Sequence, residues 1–100
     1  MRTQFIILAL VPAVAGCATI PPPTESLAAS MASVQTAEQL GAEQVPQAAL
    51  SLKLAQDEVD RTRALMADEK NRRAGLMARR AVSDADLAIA RAAILVKTAS

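Results

Sequence analysis

The sequence predicts an all-α protein: a short antiparallel helical bundle or hairpin of two to three helices, following a cleaved signal peptide and a proline-rich tether. Three observations predict it. Hydrophobic residues make up 52% of the chain, mostly alanine and leucine, while aromatic residues make up only 1%. Alanine is the strongest helix former and buries little area, so this composition suits slim helices better than a thick core. From Glu25 onward the apolar residues recur at alternating spacings of three and four, the period of a helix face. Proline and polar clusters then fall between the periodic runs rather than inside them.

The first helix is expected from Glu25, with Thr24 or Ser26 as its cap and Glu25 suited to its positive end. Leu27, Met31, Val34, Ala37 and Gly41 form its stripe, and Gly41 lies near its end. Val45-Pro46 marks a boundary, because a residue before proline avoids the helical region and Pro46 suits the first helical position. A second helix follows from Pro46 to about Ala67, with Ala48, Leu52, Ala55, Val59, Thr62 and Met66 on one face. Asp68-Glu69-Lys70-Asn71 is the best second turn, with Asn71 as a cap, although no Gly or Pro forbids a continuous helix there. In the third segment Ala74, Ala78, Ala81, Ala85, Ala88, Ala92 and Leu95 are spaced 4-3-4-3-4-3. Val82, Ile89 and Val96 flank that seam at seven-residue intervals. A seam of small residues lets helices approach closely, and it reads as a core face rather than a binding groove. An extended coiled coil formed with other copies is the alternative architecture.

The leading segment has a different character. Arg2 is the only side-chain charge before an apolar run over Phe5–Ala15, about eleven residues broken by Pro12. A bilayer core needs ~20 residues, so this run is too short to span one and fits the apolar region of a secretory signal peptide. The prolines Pro21, Pro22 and Pro23 favour polyproline II and make a short, stiff spacer. The expected organisation is therefore a signal peptide over 1–16, a tether over 17–24 and an alanine-rich helical domain over 25–100.

Val14-Ala15-Gly16-Cys17 resembles a bacterial lipobox: an aliphatic residue, a small residue, Gly or Ala, then Cys. The resemblance implies diacylglyceryl attachment to the Cys17 thiol, cleavage just before it and N-acylation of the new amine. Those covalent lipids are the only non-protein groups expected; no other cofactor and no metal is called for. One chain anchors marginally, whereas two or three on one residue make attachment effectively permanent. Ala18, in place of an aspartate after the cysteine, implies export to the inner leaflet of the outer membrane, facing the periplasm. A non-lipid signal peptide cut after Ala15 or Ala18 is the rival, and the cut after Ala15 leaves a free thiol in an oxidising compartment.

Downstream, Leu27-Ala28-Ala29, Gly41-Ala42, Pro46, Leu54-Ala55 and the alanines from Ala74 to Ala92 resemble a group of short alanine-rich lipoproteins classed as a domain of unknown function. Members are found near, or fused to, OmpA-like peptidoglycan-binding domains. The resemblance implies OmpA-like envelope proteins or peptidoglycan as partners, and it carries no catalytic residues.

Charge is balanced overall at +1, but from Lys53 onward ten Lys/Arg face seven Asp/Glu. Arg72-Arg73 and Arg79-Arg80 are seven residues apart and stack on neighbouring helix faces. They are candidate contacts for anionic envelope polymers such as lipopolysaccharide or peptidoglycan. The simpler expectation is a solvated face with internal pairs at Asp57–Arg61, Asp68–Arg72 and Glu69–Arg73, leaving Arg79 and Arg80 least compensated.

Catalysis needs a tuned acid, base or nucleophile in a pocket. The chain has no His, and its single cysteine is the expected lipid attachment point. Aromatic residues for stacking on single-stranded nucleic acid are missing after Phe5. The sequence thus points away from an enzyme and from nucleic acid. It points to a structural or adaptor role, with anion binding through Arg72, Arg73, Arg79 and Arg80 as the alternative and a homo-oligomer as a candidate state.

Overall fold

Pro23 carries the chain out of the tether and into the first helix. Its backbone (φ −83°, ψ 63°) is not yet helical, but its carbonyl accepts the Leu27 amide at 3.0 Å. The computed structural model describes residues 20–99, with side-chain burial for all of these but 95, 96, 98 and 99. Three α-helices account for most of it: α1 (Thr24–Gln39), α2 (Pro46–Ala67) and α3 (Asn71–Ala99). The fold is all-helical, and no strand occurs among the described residues.

The starts and stops follow local chemistry. Thr24 enters α1 as its first residue and Ser26 lies inside, so neither caps it; no side chain bonds the open amides of this end. The Pro23 carbonyl starts the helix one residue earlier than a Thr24 cap would. α1 ends where Gly41 turns left-handed at φ 77°, a conformation that favours glycine, and its amide closes on the Glu38 carbonyl at 3.0 Å. One turn of 3₁₀ helix (Ala42–Gln44) and extended Val45 then lead to Pro46 at the head of α2.

The second turn is closed by the backbone. The Lys70 amide donates to the Leu65 carbonyl at 2.8 Å and the Glu69 amide to Met66 at 3.0 Å. This pair of bonds is the Schellman pattern, with Glu69 in the left-handed position at φ 61°. The helix therefore breaks between Ala67 and Asn71 although no glycine marks the place. Asn71 is the first residue of α3, and its side-chain amide donates to the Ile20 carbonyl at 3.0 Å, tying the tether to the start of α3.

α2 and α3 form the antiparallel hairpin that shares the largest interface, and α1 lies against both. The register of the hairpin is marked by Arg91, which donates to the Gln47 carbonyl at 3.0 Å and to Ser51 Oγ at 3.1 Å. α1 runs antiparallel to α2: Gln56 donates to Glu38 at 2.8 Å, and Arg63 meets the Met31 sulfur at 3.3 Å.

The alanine seam is the core. Ala74, Ala78, Ala81, Ala85, Ala88 and Ala92 are each fully buried, and so are Ala48 and Ala55 on α2 and Ala37 on α1. Leu52 is the largest fully buried side chain, with Val34, Val45 and Val59 beside it in one apolar cluster. Small side chains on every helix let the three backbones close up, which replaces the bulk that aromatic residues would supply. The seam turns inward within one chain, so it does not need a partner coil. Two stripes are adjusted. Met31 is exposed and Ser30 takes the core position on α1, its hydroxyl satisfied by the Leu27 carbonyl at 2.7 Å. Thr62 completes the α2 stripe fully buried, donating to the Glu58 carbonyl at 2.8 Å. Among the described residues, no helix is long and apolar enough to cross a membrane.

Candidate functional site

Cys17 and the three residues before it, Val14, Ala15 and Gly16, lie outside the described residues, as does the signal-peptide run. The structure does describe the four arginines. All are exposed and all lie on the first half of α3, but they form two rows rather than one patch. Consecutive helical residues point about 100° apart. Arg73 and Arg80 share the flank towards α2, whereas Arg72 and Arg79 lie one step further round, away from it.

Arg73 and Arg80 rim an open groove between the two helices, with Leu65, Leu76 and Met77 as its apolar lining. Arg80 is not free on this rim. Its Nε lies 3.9 Å from Glu58 Oε2 on α2, an interhelical pair between a 67% exposed and a 10% exposed side chain. The expectation that Arg80 is among the least compensated charges is thus corrected. None of the three expected i,i+4 pairs forms within 4 Å: Asp57 instead meets Lys53 at 3.9 Å, and Asp60 meets Arg63 at 3.4 Å. Asp68 and Glu69 sit in the turn, outside the helical geometry that such pairs require.

Glu58 is the residue that periodicity did not single out. It is buried at the middle of the α2–α3 interface, and its Oε1 has no hydrogen-bond partner. Burial pushes its carboxyl up to about 7, helped by a hydrogen bond to Asp84 and by that neighbour's charge; Arg80 and Arg61 pull it part of the way back. A proton here lets one carboxyl donate to the other. Its place one step off the Ala55–Val59–Thr62 stripe was the only signal in the sequence.

A second groove, between α1 and α2, is lined by Met31, Glu38, Gln56, Asp60 and Arg63, among others. Its polar groups bond to one another, Gln56 to Glu38 and Arg63 to Asp60, which leaves little chemistry directed outward. Among the described residues, no group of three or more His, Cys, Asp or Glu is placed to hold a metal ion. No family model matches this chain, and comparison with curated proteins and with solved structures returns no match.

Proposed function

We propose that the chain is an outer-membrane-anchored periplasmic lipoprotein whose helical bundle has a structural or adaptor role. The observation that carries this reading is Val14-Ala15-Gly16-Cys17 placed ahead of a proline spacer and a bundle with a tight alanine core. Among the described residues the alanines pack the helices closely and the two grooves described between them are open to solvent, and the exposed surface is mostly helix faces suited to protein or polymer contact. In this reading Cys17 attaches, Pro21–Pro23 hold the bundle off the bilayer, and the helices meet OmpA-like proteins or peptidoglycan. It has no catalytic residue and takes no nucleic acid.

The test is Cys17→Ala in cells fed labelled palmitate. Wild type should carry label and fractionate with the outer membrane. The variant should lose the label, keep its uncut leader and leave the outer-membrane fraction. A variant that remains there at normal mature size refutes the anchor.

A second reading is favoured by the groove: Arg73 and Arg80 flank an apolar floor, an arrangement that suits an amphiphilic anion such as lipid A. Binding to lipopolysaccharide should then weaken as salt rises, and Arg73→Gln with Arg80→Gln should reduce it about tenfold or more, whereas Arg72→Gln with Arg79→Gln, away from the groove, should change it much less. Salt-independent binding, or none, removes this reading.

A further inference from the structure

We infer that the tether is docked on the start of α3, and that this dock fixes which end of the bundle stands at the bilayer: the end carrying the α2–α3 turn. The placement at a bilayer rests on the lipoprotein reading; the dock does not. Three contacts make the dock. The Asn71 side-chain amide donates to the Ile20 carbonyl at 3.0 Å. Only the nitrogen end of that amide can donate, and its oxygen end, Oδ1, is left covered and without a partner. Asn71 thus serves the tether, where local rules would give it the cap of α3. The Thr24 amide donates to the Pro22 carbonyl at 2.9 Å across Pro23, whose φ −83° and ψ 63° are those of an inverse γ-turn. Pro23 itself lies over Gly75, its Cβ 3.8 Å from where a Cβ on that glycine would stand. Residues 71 and 75 are one turn apart, so a single face of α3 lies under the tether.

The dock shortens the leash. Undocked, the seven residues from Cys17 to Pro23 reach ~24 Å and let the bundle swing or lie over. Docked, only three residues separate Cys17 from the pinned Ile20, and these reach at most ~10 Å. A lipid on Cys17 is therefore held close to Asn71. α1 begins at this end, α2 finishes at it and α3 starts from it. The opposite end, where Pro46 opens α2, is ~30 Å away along the 22 residues of that helix. The short leash keeps the turn at the headgroups and leaves the Ala42–Gln44 turn at the far end. Charge does not make this choice: Asp68, Glu69, Lys70, Arg72 and Arg73 put both signs at the turn end. The attachment point of the tether makes it. The groove lined by Leu65 and Arg73 belongs to the same half of the bundle, so it opens beside the bilayer surface.

The dock is tested without lipid. The full chain bearing Cys17→Ser, Pro23→Cys and Gly75→Cys, in mild detergent, should close a disulfide under mild oxidant, because the two Cβ positions stand at the 3.8 Å usual for that bond. Asn71→Asp keeps the side-chain shape and suits a helix start, but it sets an acceptor against the Ile20 carbonyl. It should slow closure about threefold or more while helical circular dichroism is unchanged. Failure to close, or a rate indifferent to Asn71→Asp, overturns the dock. The placement is tested on lipidated mature protein in phosphatidylethanolamine–phosphatidylglycerol vesicles that contain a lipid with a nitroxide headgroup. A fluorophore on Lys70→Cys should be quenched severalfold more than one on Glu43→Cys. Equal quenching, or stronger quenching at residue 43, overturns the placement. A chain that closes the disulfide but carries no lipid when made in cells overturns the lipoprotein reading, and the membrane placement with it, and leaves the dock standing.

Discussion

Ala85→Leu should lower the melting temperature of the bundle by roughly 10 °C or more, and Ala81→Leu with Ala85→Leu together should prevent cooperative folding. Both alanines are fully buried, in the same cluster as Leu52, Ala55 and Val59 of α2 and Val34 of α1. Adding methylenes to a well-packed site costs about 1–3 kcal/mol through forced backbone shifts. A domain of this size has only about 5 kcal/mol or so in hand, and 1 kcal/mol moves its melting point by roughly 4–8 °C. The usual reasoning that a larger apolar side chain strengthens a core is inverted here, because helix spacing is set by the smallest residue in the seam. Ala64→Leu on the exposed face of α2 is the control. It should leave the melting temperature within a few degrees. Equal effects at Ala64 and Ala85 in thermal denaturation would mean that the seam is not close-packed.

Most of the fold was legible because its determinants are local. The bounds of α2 follow from Pro46 at one end and the polar cluster after Ala67 at the other. The α3 seam follows from strict 4-3 spacing, and each of its six alanines with described burial is fully buried. The less legible points depend on tertiary context. Glu69 carries a left-handed turn that sequence rules assign to glycine or asparagine, because the Leu65 and Met66 carbonyls need amides there. Met31 and Ser30 compete for one inward position, and the smaller residue occupies it where the helices are close. The charge pairs were misread because i,i+4 rules consider one helix, whereas Glu58 and Arg80 meet between two. The paired arginines were legible as a basic run, but their division into two rows comes only from the way α3 is turned against α2.

Glu58 makes the bundle's stability depend on pH in a window where few other groups titrate. Its carboxyl is raised from 4.5 to about 7 by burial and by Asp84, so the folded chain holds this proton more tightly than the unfolded chain does. The sign follows from linkage: stability is fully present below about 4.5, falls as pH rises towards 7 and levels off above it. The direction is opposite to that of a salt-bridged carboxylate. A tenfold change in proton affinity is worth about 1.4 kcal/mol, and the solvent access left to this interface reduces the whole loss to on the order of 1–2 kcal/mol. The chain has no histidine, the side chain whose ordinary titration would overlie this one between pH 5 and 8. Urea midpoints should therefore decrease as pH is raised from 5 to 8. Glu58→Gln removes the titrating group and keeps a donor for Asp84. It should flatten the profile and leave the protein more stable than its parent at pH 8. A flat parent profile, or a slope that survives Glu58→Gln, would show that the proton is not held between Glu58 and Asp84.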